Sequence, residues 1–128
     1  MRIRLRDLSP EYRKALRAQV RAVPRERGAR RGMNATERAY AEHLERRRLA
    51  GELLWWEREP IRIRLGDDAW YKPDFIVVTA AGLVEVHETK GFMREAARVR
   101  LQAAANAVPW MGFIVVKKLR CGWQYEAL

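Results

Sequence analysis

Residues 71–91 read YKPDFIVVTAAGLVEVHETKG, and the fold is decided by how this stretch pairs with itself. Phe75 to Thr79 is a run of apolar and β-branched residues, the composition of a buried strand. Ala80-Ala81-Gly82 is a tight loop, with glycine where a left-handed residue is needed. Leu83 to Thr89 is the returning strand. With a three-residue loop, Thr79 sits opposite Leu83, and counting outward places Asp74 directly across from Glu88. Directly opposed residues have Cβ atoms about 4.5–5.5 Å apart and point to the same face. Lys90, two residues beyond Glu88, shares that face, and Val84 and Val86 share it further back. The carboxylates therefore stand at the edge of an apolar surface. The reading depends on loop length, because a two-residue loop moves the register by one and separates the faces.

An Asp, a Glu and a Lys converging at strand ends make a poor structural patch. Two carboxylates this close repel unless a cation lies between them. Mg²⁺ takes carboxylate oxygens at about 2.0–2.1 Å, and the expected separation suits a bridging ion. Such an ion activates water and neutralises charge on a phosphate. The lysine orients the water or stabilises the developing charge. Upstream, a helix opens at Asn34 and runs to about Ala50, with Gly51 as its stop. Glu37, Tyr40 and Leu44 recur at i, i+3, i+7, which puts an acid on the core-facing stripe. Asn34-x-x-Glu37 is equally the spacing of a capping box, and the two roles are compatible.

Around this centre the chain reads as short elements. Leu53 to Trp56 is apolar and aromatic, and Ile61, Ile63 and Leu65 alternate with Arg62 and Arg64, the period of a half-exposed strand. Gly66-Asp67-Asp68 is a turn, after which Trp70 and Tyr71 lead into Pro73. A third helix covers about 92–107, with Met93, Ala97, Leu101, Ala104 and Val108 on one face and Pro109 after it. Phe113 to Val116 is a buried strand and Trp123 to Tyr125 an edge strand. The order from residue 34 is α-β-β-β-α-β, a mixed α/β domain with a small central sheet. His87 and Glu85 fall on the face away from Glu88, where a histidine packs or hydrogen-bonds; His43 reads as a surface residue and the five tryptophans as core.

The N-terminal region has a different character. Ser9-Pro10-Glu11 is a helix start, and Tyr12, Leu16, Val20 and Val23 follow at helical spacing. A basic amphipathic helix over about 10–22 is expected, ended by Pro24 and followed by a basic linker over 24–33. Residues 1–31 hold eleven bases and three acids, a net of +8 out of +10 for the 128-residue chain. Arginine outnumbers lysine by 21 to 5; GC-rich codon usage accounts equally for that preference, but not for the clustering. The charge makes nucleic acid the default partner. Arg25, Arg27, Arg30 and Arg31 are candidate phosphate contacts, with Arg94 and Arg98 at the start of the third helix, where anions are also favoured. The single cysteine, Cys121, excludes an internal disulfide framework and a cysteine-based zinc cluster, and points to a reducing, intracellular setting. No apolar run approaches the roughly 18–20 residues of a membrane span, and the first residues lack the apolar stretch of a secretion signal.

Pro73-Asp74, thirteen residues, then Glu88-Thr89-Lys90 resembles the PD-(D/E)XK nuclease superfamily. The segments Tyr71-Lys72-Pro73-Asp74-Phe75 and Glu85-Val86-His87-Glu88-Thr89-Lys90-Gly91 are most similar to those of small phage-type nuclease-like proteins. The resemblance implies a restriction-endonuclease-like αβββαβ core over 34–117 within a nuclease-like domain over 34–128, and it does not extend to the basic helix and linker of residues 1–33. It implies Mg²⁺ or Mn²⁺ held by Asp74, Glu88, the Thr89 carbonyl and Glu37, with Lys90 as the catalytic lysine. A DNA endonuclease in the cytoplasm of a bacterial host is the expectation, with branched or recombination-intermediate DNA as a plausible substrate class and a homodimer as its two-strand form. The rivals are a non-catalytic nucleic-acid-binding module on the same fold, and an accessory subunit whose basic arm grips an acidic protein. RNA also stays open as the substrate.

Overall fold

The computed structural model describes residues 9–23, 32–90 and 93–128. Its elements are α1 (Pro10–Gln19), β1 (Val20–Ala22), α2 (Ala35–Leu49), β2 (Leu53–Arg58), β3 (Ile61–Gly66), β4 (Ala69–Tyr71), β5 (Phe75–Thr79), β6 (Val84–Thr89), α3 (Glu95–Ala107), β7 (Gly112–Leu119) and β8 (Gly122–Ala127). The mixed α/β class is as expected.

The hairpin of β5 and β6 sets the frame. Phe75 pairs with His87, Ile76 with Val86, Val77 with Glu85 and Val78 with Val84. The loop closes as the sequence required: Gly82 has φ of 81°, and Thr79 N–H donates to the Leu83 carbonyl at 2.9 Å. A five-stranded sheet grows from this hairpin in the order β2-β5-β6-β7-β8, antiparallel except for the parallel pair β6–β7. A parallel pair needs a crossover, and α3 supplies it.

Alternation along the strands sorts two apolar clusters onto the two faces. Phe75, Val77 and Val116 join Leu53 and the α2 residues Tyr40, Ala41 and Leu44 on one face. Ile76, Val86, Phe113 and Val115 meet Leu101, Ala104 and Val108 from α3 and its end on the other, together with Ile63 and Tyr71. The predicted stripe of the third helix is therefore the packed one, although its regular part begins at Glu95.

α2 is bounded by its own chemistry. Asn34 Oδ1 accepts from Glu37 N–H at 2.8 Å, which satisfies one of the unpaired donors at the helix start. Arg46, Arg47 and Arg48 lie in the last turn, where they oppose the helix dipole. Gly51 has φ of 80° and closes the helix with paired bonds from Gly51 and Glu52 N–H to the carbonyls of Arg48 and Arg47.

Two expectations need correction. The helix expected over about 10–22 stops at Gln19, and Val20–Ala22 instead form β1, paired antiparallel with β3 through Val20–Ile63, Arg21–Arg62 and Ala22–Ile61. Tertiary pairing overrides the helical spacing of Val20 and Val23 because Val20 gains a place against the core formed by Ile63 and its neighbours. The strands also do not form one small sheet. β1, β3 and β4 make a separate three-stranded sheet in the order β1-β3-β4 beside the five-stranded one, so the simple α-β-β-β-α-β order undercounts the strands. Of the linker expected over 24–33, residues 24–31 lie outside the described residues.

Candidate metal-assisted site

The ladder begins at Phe75–His87, and one further step of the same register sets Asp74 against Glu88. Asp74 N–H donates to Glu88 Oε2 at 3.3 Å, so the backbone of one acid holds the carboxylate of the other. The Tyr71 hydroxyl donates to the same Glu88 oxygen. Asp74 Oδ2 accepts from the N–H and the hydroxyl of Thr89 at 3.0 and 3.1 Å. The two strand ends are thus cross-tied through their acids, and every bond recorded here falls on Oδ2 of Asp74 or Oε2 of Glu88. The other oxygen of Glu88, Oε1, lies 3.7 Å from Lys90 Nζ. The Lys90 N–H donates to the Val116 carbonyl at 3.0 Å, which fixes its backbone beside β7.

Burial makes this arrangement electrostatically tense. The Glu88 side chain is 8% exposed and that of Lys90 41%. Burial and then the charge of Asp74 push the Glu88 carboxyl up to about 7, against the bonds from Tyr71 and Asp74 and the charge of Lys90. Burial also raises Asp74, and the charge of Glu37 adds to this; the two bonds from Thr89 and the charge of Lys90 oppose it. Tyr71 is raised, first by burial and then by Glu88, and so stays a protonated donor.

Glu37 stands at the margin. Its Oε2 is buried with no hydrogen-bond partner and lies 3.6 Å from an Arg58 guanidinium nitrogen. Arg58 is the register partner of Phe75, which brings it to the α2 face beside the start of β5. Asn34 supplies its half of the capping box, while the Glu37 carboxylate turns toward Arg58 rather than serving only the helix start. The structure gives the Thr89 N–H and hydroxyl a positioning role toward Asp74. Among the described residues, no group of three or more His, Cys, Asp or Glu is placed to hold a metal ion. The set expected from sequence is therefore reduced here to two adjacent carboxylates. Such a pair still suits Mg²⁺, which is commonly held by one or two carboxylates with waters and substrate phosphates completing its shell.

The other expected residues fall as follows. Arg25, Arg27, Arg30 and Arg31 lie outside the described residues. Arg94 is exposed at the cap position of α3, and Arg98 is exposed with its guanidinium 3.5 Å from Glu126. His87 is buried on the far face, as the alternation predicted: Nε2 lies 3.1 Å from Glu85 Oε1, and Nδ1 meets the Tyr40 hydroxyl. An ionised carboxylate only accepts, so Nε2 carries the proton and Nδ1 accepts from Tyr40. His43 is not a plain surface residue; it is half-buried, with Nε2 2.9 Å from the Tyr125 hydroxyl. Trp55 is exposed and Trp56 donates to Glu45 at 2.8 Å, so the tryptophans are not uniformly core. A cavity of ≈ 590 Å³ opens on the α2 face beside His43, Arg47, Glu85, His87 and Tyr125, and takes in none of the Asp74–Glu88–Lys90 group.

Sequence reasoning missed the site roles of Tyr71 and Arg58. Tyr71 sits inside the stretch that opened the reading, three residues before Asp74, and its hydroxyl was the available signal. Arg58 carries no local signal, because its meeting with Glu37 depends on the pairing of β2 with β5. No protein family, curated protein or solved structure compared with the chain gives a match.

Proposed function

We propose that the chain is a divalent-metal-dependent DNA endonuclease that hydrolyses phosphodiester bonds at the Asp74–Glu88–Lys90 centre. The observation that carries this reading is a buried Glu88 and a partly buried Asp74, hydrogen-bonded across two strand ends, with a half-exposed lysine 3.7 Å from Glu88. Asp74 and Glu88 would hold Mg²⁺ or Mn²⁺, with Glu37 as a supporting acid. The ion supplies water activation and neutralisation of phosphate charge when bound. The chain's own residues do the rest. Thr89 fixes the Asp74 carboxylate, Tyr71 and the Asp74 N–H fix that of Glu88, and Lys90 presents a positive charge where negative charge develops on phosphate oxygens. The basic N-terminal segment adds affinity without sequence preference.

A branched substrate, drawn from the resemblance, is a further part of this reading, and a symmetric two-strand cut calls for a homodimer whose two copies supply two centres. The second reading is a non-catalytic DNA-binding module, favoured because no group of three or more His, Cys, Asp or Glu among the described residues is placed to hold a metal ion. Incubating the protein with labelled linear, single-stranded, flapped and four-way DNA, in Mg²⁺, Mn²⁺ or EDTA, separates the two. The nuclease reading expects metal-dependent product on at least one of these DNAs. Binding without product in either metal favours the module.

A further inference from the structure

The outer face of the β1-β3-β4 sheet is built from arginine. In β3 the inward positions are Ile61, Ile63 and Leu65, which pack against the core, while Arg62 and Arg64 point outward. Arg21 is the register partner of Arg62, and Trp70 is the partner of Arg64. The Arg62 guanidinium lies 4.6 Å from the centre of the Trp70 ring, and that of Arg21 lies 5.6 Å from it. Arg100, reaching from α3, donates to the Trp70 carbonyl.

This face is poorly explained by stability alone. Like charges directly opposite one another across two strands are unfavourable, yet Arg21 and Arg62 are such a pair. Among the described residues, no carboxylate lies within ion-pair distance of either; Asp67, at the turn, pairs with Arg64 at 2.9 Å. Stacking on an indole holds guanidiniums in place and leaves their N–H edges available. A face with fixed, like-charged donors matches a polyanion whose phosphates recur along a strand.

The face also adjoins the proposed centre. Trp70 is followed by Tyr71, whose hydroxyl holds Glu88 from the inner side of the same strand. β4 is an edge strand of the small sheet, and its outer face carries Trp70 while its inner face carries the tyrosine that ties Glu88.

We propose that Arg21 and Arg62, ordered over Trp70, form a docking surface for the phosphate backbone of the DNA strand that leads to the Asp74–Glu88 centre. This rests on the nuclease reading for the place of the strand, but its test does not need cleavage. Fluorescence anisotropy of labelled single-stranded and duplex DNA is measured in EDTA across a salt series, for the wild type and for the pair Arg21→Gln with Arg62→Gln. The docking surface predicts an affinity lower by about ten-fold at ~0.1 M salt, and a slope of log K against log salt shallower by about 2. The pair Arg21→Lys with Arg62→Lys keeps the charge and should keep most of that slope. Removing the cross-strand repulsion should not lower the melting temperature; if the Gln pair nevertheless unfolds, Arg62→Gln alone should lose about 1 from the slope. Wild-type affinity and slope in the Gln variants, or no DNA binding by the wild type, overturns the proposal. Tight binding in EDTA with no cut in metal sinks the nuclease reading and leaves the surface standing. Metal-dependent cutting with unaltered binding by the Gln pair does the reverse.

Discussion

Glu88 carries the clearest consequence at the scale of a single residue. Its carboxyl is pushed from an ordinary value of 4.5 up to about 7, so the folded protein holds that proton more tightly than the unfolded chain. The resulting stability is fully present below about pH 4.5 and is lost as the pH rises through about 7. Thermal melts of the metal-free protein should therefore fall between pH 5 and pH 8, and Glu88→Gln should flatten that fall. At pH 8 the variant should be the more stable by about 1–3 kcal/mol, because it removes a carboxylate charge disfavoured by burial and by Asp74. Mg²⁺ should raise the wild-type melting temperature at pH 8 and leave the variant unmoved; equal pH slopes for the two proteins would contradict the assignment. On the far face, Tyr40→Phe leaves His87 Nδ1 without its donor and should cost about 1–3 kcal/mol in urea unfolding. Cleavage should persist in that variant, because the Tyr40–His87–Glu85 chain of bonds does not touch the acid pair. The facing of these residues was legible from alternation and from Gly82, which together fix both the register and the side. The Tyr71 bond to Glu88 was not, because it needs β4 packed against the large sheet.

Among the elements, α2 and β1 show what local pattern can and cannot decide. The start of α2 is written in Asn34, and Asn34→Ala should destabilise the protein by about 0.5–2 kcal/mol, read from chemical denaturation. A loss near zero would mean that packing of Tyr40 and Leu44 alone sets the helix. β1 is the opposite case. Three residues cannot announce a strand, and their spacing continues that of α1. Only the partner Ile63, some forty residues away, makes Val20 a strand residue. The same long-range choice sends β3 and β4 into their own sheet. Arg62 and Arg64 declared an exposed face in the sequence, but not which strands would lie beside them or that Trp70 would sit under the charges of Arg62 and Arg21.

At the scale of the whole molecule, charge and acids are separated. The chain has a net charge of +10, whereas the proposed centre is an acidic pair, one member buried and one partly buried, beside one lysine. A positive surface draws a polyanion in, and a local negative centre then draws in the cation that offsets its own repulsion. DNA affinity should accordingly fall steeply with salt in EDTA, and a salt-independent affinity would point to a protein partner instead. The most direct measurement is single-turnover cleavage of the preferred DNA in Mg²⁺ by the wild type, Asp74→Ala and Lys90→Ala, each first shown to be folded and to bind DNA. The account predicts product from the wild type alone, with each variant slower by at least about 100-fold. Cleavage by Asp74→Ala at the wild-type rate, or none by any of the three despite equal binding, would contradict it.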